Sequence, residues 1–312
     1  MMQQSTAKTW VSALLLGVLS FSAQAWDATG HIIVAQIAYD YLTPVARQDV
    51  DFLIEKTHFE KDFSKFSPYV YCASWPDYLG YSVESRDRNT KDVFNFFRIL
   101  SKTWHYHDTP IVLGDYHPLS EGNSVWAVNN LVPQLASAIA KKDYNTAAYE
   151  LAFLTHIVGD IHQPLHNASL YDNDFPRGDI GGNLYSIQPT LGPKNLHSAW
   201  DESLGHFSGW PGYSPNAGYH PPMNLLKETA IEFEALCSDD QASQVDPEAW
   251  SKEAGAIALD FVYPMHNVTA PKLGEALSES YVEKGQKIAA VQMCLAGKRL
   301  AAVLNNTLRE PL

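Results

Sequence analysis

Cysteine is scarce in this chain. Cys72, Cys237 and Cys294 are the three present, and no two are close in sequence. That excludes a disulfide-dense scaffold and a thiolate metal site of closely spaced cysteines. One disulfide with one free thiol remains, in any of three pairings. Positive charge is short as well: 22 Lys and Arg stand against 35 Asp and Glu, a net charge of −13. A generic basic surface for polyanions is therefore excluded. Long apolar runs are missing too. The stretch from Trp10 to Phe21 follows Lys8 and precedes Ala23-Gln24-Ala25; it is too short to span a bilayer and reads as a secretory signal peptide over residues 1–25. No later run is expected to anchor the mature protein in a membrane. Internal repeats and low-complexity linkers are absent, so residues 26–312 are expected to form one domain.

The remaining pattern is mostly helical. Ile32, Ile33, Ala35, Gln36, Ile37 and Tyr39 fit a buried helix that starts at Asp27 or Thr29. Thr43-Pro44 is an N-cap and first-turn pair for a second helix reaching about Lys56. Ser124–Lys141 and Asn145–Ile161 read as two core helices. Asp246-Pro247 starts another, and Leu277–Leu308 is a long terminal one. Tyr78–Thr103, with its charged stretch Glu84–Asp92, reads as a surface loop. Ser169–Asn195 carries Gly178, Gly181, Gly182, Gly192 and Pro193 and reads as a second long loop, with room for a small hairpin at Leu184–Ile187. The expected fold is all-α: a single multi-helix domain with long functional loops and that one hairpin.

Histidine and acid recur at ligand spacing. In His156-Ile-Val-Gly-Asp160-Ile-His162-Gln-Pro-Leu-His166, His156 and Asp160 stand four apart and share a helix face. Pro164 should end that helix and re-aim His166 toward the same space. His197-Ser-Ala-Trp-Asp201 repeats the spacing. Asp77 in Ser74-Trp75-Pro76-Asp77, and His105 in Trp104-His105-Tyr106-His107-Asp108, add further donors. Imidazole with carboxylate suits a divalent transition metal, zinc above all. Cleavage after Ala25 would make Trp26 the first residue. Its amine, titrating near pKa ~7.7–8.0, could then serve as a ligand, with its own carbonyl oxygen and His31 nearby. Taken singly, each residue has a bland reading as cap, core histidine or surface acid. Together they point to a multinuclear metal site.

In that order the motifs resemble the zinc-dependent type I nucleases of fungi, plants and bacteria, the S1/P1 type within the phospholipase C/nuclease superfamily. The likeness rests on the mature N-terminal Trp26, W-x-D, W-H-Y, H-x-x-G-D-x-H-Q-P-L-H, G-G-N and N-L-H-x-x-W-D. It implies three zinc ions at the floor of a cleft. The first would take Asp77, His105, His156 and Asp160. The second would take His166, His197 and Asp201. The third would take the Trp26 amine and carbonyl, His31, and Asp160 as a bridge. His162 would be a supporting residue and not a ligand. The resemblance also implies that Tyr106 and Asp108 hold a nucleobase, and that single-stranded DNA or RNA and nucleotides are the substrates. Products would carry 5′-phosphates, and 3′-nucleotidase activity would accompany the cleavage. The low basic count is compatible with that substrate if bound cations hold the phosphate. Asp77 is expected to be catalytic by orienting the attacking water. No protein partner is implied.

Two departures bear on secondary phosphate contacts: Tyr78-Leu79-Gly80 stands where relatives often have Lys or Arg, and Ser203 where many have Asn. A zinc phospholipase C is the nearest rival. That branch has a longer gap from Trp to the first His and a Glu at the last ligand position, whereas this chain has Trp26, His31 and Asp201. A non-catalytic zinc protein is the second rival, disfavoured because the second group offers three ligands and leaves a position open. Asn167-Ala-Ser169, Asn267-Val-Thr269 and Asn305-Asn-Thr307 are glycan acceptors only in a eukaryotic secretory route, and sugar on Asn167 would crowd the site.

Overall fold

A computed structural model describes residues 26–56, 68–78, 103–111, 123–189, 192–212 and 220–312. The signal-peptide assignment and most of the Tyr78–Thr103 loop lie outside them. The first helix, α1 (Ala28–Tyr41), starts where expected, with the Asp27 side chain accepting from Gly30 N at 2.9 Å. Such a cap is worth about 1 kcal/mol. Ile32, Ile33, Val34, Ala35, Ile37 and Ala38 are all fully buried, so α1 is apolar around most of its circumference and forms the centre of the core. α2 (Pro44–Lys56) follows, with Thr43 Oγ1 accepting from Ala46 N. Two single-turn helices, α3 (Tyr69–Cys72) and α4 (Trp75–Tyr78), carry the chain to Asp77.

The hairpin of α5 (Ser124–Ala140) and α6 (Tyr144–Asp160) matches the two anticipated core helices. Asn123 and Asp143 cap their starts, and Lys142 turns the corner with φ 57°. A 3-10 turn at Pro164–His166 ends this run, as Pro164 dictates. α7 (Leu196–Asp201) is capped by Asn195. Then come α8 (Met223–Glu234), α9 (Asp239–Ala242) and α10 (Pro247–Ile257), the last begun by Asp246 as expected. α11 (Glu279–Thr307) closes the chain behind a Ser278 cap. It lies tightly along α1: a Cβ at Gly297 would sit 2.6 Å from Ile37. α11 is long and apolar enough over one window to cross a membrane, contrary to the expectation that no such run follows the leader. Yet 72% of that window is buried, which marks a core helix.

The described residues contain one sheet, and it corrects the hairpin expectation. β1 (Thr109–Ile111) and β2 (Ala168–Leu170) pair in parallel, Thr109 opposite Ala168. Leu184–Ile187 does not fold on itself. Ser186 instead bridges Asn195, with Ile187 N donating to Lys194 O. The pairing of cysteines left open by the sequence is Cys237 with Cys294, which ties the segment before α9 to α11. Cys72 is a buried thiol whose pKa is pushed up by burial. Asn167 is fully buried and donates to Ile161 O and Gln163 O, so its side chain is committed inside the fold.

Candidate metal centre

Four parts of the chain meet at the C-terminal end of α6. His156 and Asp160 point from its last turns, as their spacing predicts. His31 comes from α1, Asp77 from α4 and His105 from the segment before β1. His31, His156 and Asp160 form one group of potential ligand atoms within 4.8 Å of one another; Asp77, His105 and His156 form a second, and His166, His197 and Asp201 a third. His31 Nε2 lies 3.2 Å from Asp160 Oδ1, and His105 Nδ1 lies 2.9 Å from Asp160 Oδ2. His156 Nε2 lies 3.4 Å from both Asp160 Oδ2 and Asp77 Oδ1. Asp160 thus stands between the first and third of the expected positions, as a bridging carboxylate would.

The donor set fits a cation. Hydrogen bonds fix the useful tautomer of three histidines. His156 Nδ1 donates to Ala73 O at 2.7 Å, His166 Nδ1 to His105 O, and His197 Nδ1 to Gly181 O at 2.6 Å. Each Nε2 is thereby turned toward a carboxylate: His166 at 3.9 Å and His197 at 3.4 Å from Asp201. Backbone carbonyls behind ligand imidazoles are the usual support of metal sites. Burial also leaves atoms unsatisfied. Neither ring nitrogen of His31 makes a directed hydrogen bond, nor does Asp160 Oδ1, although all three atoms are buried. The imidazole nitrogens His156 Nε2 and His105 Nδ1 face each other at 3.1 Å. Buried polar atoms without partners cost ~1–3 kcal/mol each, and a divalent ion removes that cost.

The electrostatics of the groups differ. Burial alone would raise the Asp160 carboxyl, but the charge on His156, the hydrogen bond from His105 and the nearby His31 imidazole hold it well below the usual range. Asp77 is likewise lowered, by His156 and His105 against its own burial. Burial lowers His156, yet Asp160 and Asp77 outweigh it and push it up to about 9. His31 is pushed down to about 4, by burial and then by His156. Asp201 is raised well above its ordinary value, chiefly by burial; Gln163 Nε2, donating to Oδ1 at 2.7 Å, opposes this only in part.

Glycines make the close approaches. A Cβ at Gly159 would lie 2.7 Å from His31 Nδ1, and one at Gly30 would lie 2.7 Å from Trp26 Cβ. Trp26 is fully buried, and Asp27 N donates to Asp201 O at 2.8 Å. The residue expected to start the mature chain therefore packs on α1, and its neighbour Asp27 is tied to α7. His162 is not part of any group: Nδ1 donates to Val158 O and Nε2 accepts from Arg299, inside the core. It touches no residue of the three groups, so the expected support of a ligand is not seen; its neighbours are Val158, Arg299 and Trp250.

Tyr106 and Asp108 are not among the clustered ligands. Both are half-buried on the segment leading into β1. That segment runs beside the second histidine turn, with His107 N donating to His166 O at 2.7 Å. The β1–β2 pairing thus sets both residues next to His166. Asp108 Oδ1 accepts from Ser169 Oγ at 3.0 Å. Ser203, two residues past Asp201, is buried with φ 51°. Two residues that shape the site were given no role in the sequence reading: Gln163, which donates to Asp201, and Gly159, which lets His31 approach. The Gly and the Gln of H-x-x-G-D-x-H-Q-P-L-H were their visible signals.

Comparison with known proteins agrees with this geometry. The S1/P1 Nuclease family model matches residues 26–309. Endonuclease 1 of Arabidopsis thaliana is 26% identical over 322 residues, covering 95% of this chain and 93% of its own. Nuclease P1 of Penicillium citrinum is 24% identical, covering 90% and 97%. Nuclease S1 of Aspergillus oryzae is 26% identical over 199 residues, 62% of this chain and 64% of its own. The matched span begins at Trp26 and includes every clustered ligand, and the chain belongs to the S1/P1 nuclease family.

Proposed function

We propose that this nuclease hydrolyses single-stranded DNA and RNA at a three-zinc centre, releasing 5′-phosphorylated products and acting on 3′-nucleotides at the same site. The observation that carries the reading is the convergence of five histidines and three aspartates into three adjoining groups, three of the imidazoles having Nδ1 already committed to carbonyls. His31, His105, His156, Asp77 and Asp160 would hold two ions together with the Trp26 amine; His166, His197 and Asp201 would hold the third. Zinc supplies charge neutralisation at the phosphodiester oxygens and lowers the pKa of water to about 7.

The protein's own residues do the rest. Asp77 and His105 keep 12% of their side chains exposed while His31, His156 and Asp160 are fully buried, so the site opens to substrate on that side. Asp77 orients the water that attacks phosphorus in line. Tyr106 offers a ring on which a base can stack, worth ~1–3 kcal/mol, and Asp108 accepts from a base edge. A base must leave a duplex stack to reach them, which favours single strands. An opening on one side also favours catalysis over a closed structural zinc site.

Export would remove residues 1–25, place the enzyme outside the cytoplasm and free the Trp26 amine. The burial of Trp26 against Gly30, the residue before His31, supports that use of the new terminus. The test is metal content of the mature protein together with product analysis on a short single-stranded oligonucleotide, with phosphatidylcholine as the rival substrate. Three zinc ions per chain and 5′-phosphate ends are expected; preferential release of a phosphorylated headgroup would install the phospholipase reading. A variant carrying extra residues before Trp26 should lose one zinc and most activity, and full activity there would remove Trp26 from the centre.

A further inference from the structure

Trp200 stands between His197 and Asp201 in α7, but it offers no ligand atom. It is fully buried, and its Nε1–H donates to Tyr281 Oη at 2.9 Å. Tyr281, also fully buried, donates in turn to Val262 O at 3.0 Å. Chemistry fixes the direction of both bonds, because an indole N–H can only donate and a carbonyl can only accept. The one hydroxyl proton is therefore committed, and each bond polarises the other. The Tyr281 ring stacks on Phe261 with centroids 5.1 Å apart, and Trp200 stands edge-on to both. Val262 ends a π turn, Ala258–Val262, that continues α10. Carbonyls in a last helical turn lack partners within it, and Tyr281 supplies the one for Val262. The next residue, Tyr263, donates to Asp179 Oδ2 at 2.6 Å, and Asp179 Oδ1 accepts from Leu170 N. Two consecutive residues thus reach both segments of the second metal group: Val262 toward α7, and Tyr263 toward β2, which begins two residues past His166.

α7 needs outside support. It has six residues, too few for a helix to hold its shape alone. The chain beyond it is strained: Ser203 and Leu204 have φ of 51° and 53°, a region costly for residues with a side chain. α11 grips this stretch a second time through Gln286 Nε2, which donates to Leu204 O at 3.0 Å. It also packs so closely that a Cβ at Gly285 would overlap Leu204 Cδ1. Trp200 lies three residues from His197 and one from Asp201, so any roll of α7 that moves the indole moves both ligands.

We propose that Tyr281 is a positioning residue for the His166/His197/Asp201 metal position: by holding Trp200 it sets the roll of α7, and so the direction of the His197 and Asp201 ligand atoms. The proposal rests on the reading of that group as a zinc site. Tyr281→Phe removes one oxygen and keeps the ring. Zinc retained per chain is measured by mass spectrometry against rising chelator, with the melting temperature recorded on the same samples. One zinc equivalent should leave at a chelator concentration about 10-fold lower than in the wild type, while the other two leave as before. A lower melting temperature with all three ions at wild-type resistance overturns the proposal, because it shows a hydroxyl that serves stability alone. Trp200→Phe removes the other end of the bond. In that background Tyr281→Phe should cause no further loss of zinc; losses that multiply overturn the proposal. A third measurement needs no variant. In the unaltered protein the Trp200 indole 1H and 15N shifts should move as the zinc at His197 is stripped, a step followed by the His197 ring nitrogens. An indole resonance indifferent to that step overturns the proposal alone, whereas a wild-type chain that binds no zinc overturns the underlying reading with it.

Discussion

The two ends of the metal centre solve the same problem differently. Asp160 and Asp201 are both buried acids four residues after a histidine. Asp160 sits among three imidazoles, which hold its carboxyl low. Asp201 also faces imidazoles, His197 at 3.4 Å and His166 at 3.9 Å, and takes one amide hydrogen bond on Oδ1, yet burial and then the acids Asp77, Asp27 and Asp160 drive its carboxyl up. The Asp160 carboxyl is thus held ionised by its neighbours. Asp201 favours its neutral, protonated form, and a cation bound there would have to displace that proton. One end is assembled by side chains from α1, α4 and α6 that support one another; the other depends on backbone carbonyls and the glycine turn behind it.

Removing the bridge should break the comparison most severely. In Asp160→Asn the first and third metal positions lose a shared ligand together. Two of three zinc ions should be absent by elemental analysis, and hydrolysis should fall on the order of 10³-fold, the equivalent of several kcal/mol of lost charge stabilisation. Retention of a full metal complement would show that Asp160 is not shared. Gly159→Ala strikes the same end more gently. The new methyl would sit 2.7 Å from His31 Nδ1, and His31 cannot slide away because its ring stacks on His156 at 3.9 Å. Alanine is the better helix former by ~1 kcal/mol. The signature is therefore a helix that tolerates the change while one zinc is bound ~10–100-fold more weakly. Wild-type affinity would mean that the ring has room.

At the other end, Gln163→Leu deletes the amide that holds Asp201 Oδ1. One zinc should be weakened about 10-fold, with the two at Asp160 untouched in the same chelator titration. Equal weakening of all three would erase the distinction between the ends.

How far this could be read beforehand depended on whether the information was local. Helix starts were legible because Asp27, Thr43, Asp246 and Ser278 each cap their own neighbours. The ligand pairs were legible because spacing of four on a helix is a local fact. α8 announced itself poorly: Pro222 stands at its start with no capping side chain. The parallel pairing of β1 with β2 joins three-residue strands 59 positions apart in register (Thr109 with Ala168) and leaves no periodicity to detect. The same holds for Cys237 with Cys294.

Glu150 supplies the smallest test and the cleanest control. It is a buried acid on α6, upstream of Asp160, and burial pushes its carboxyl up to about 7 from 4.5. No imidazole enters that shift, so Glu150 isolates what burial does to a carboxyl without compensating cations. Its folded pKa exceeds its unfolded one, so its protonated form is the better accommodated. The stability it confers is complete below about pH 4.5 and is lost as pH rises through 7. Glu150→Gln should match the wild type in denaturant melts at pH 4 and exceed it at pH 8 by up to ~3 kcal/mol, with zinc content unchanged. A Gln variant that is no more stable at pH 8 would mean that buried acids in this core are compensated by other means. Burial would then no longer explain why Asp201, unlike Asp160, favours its protonated form.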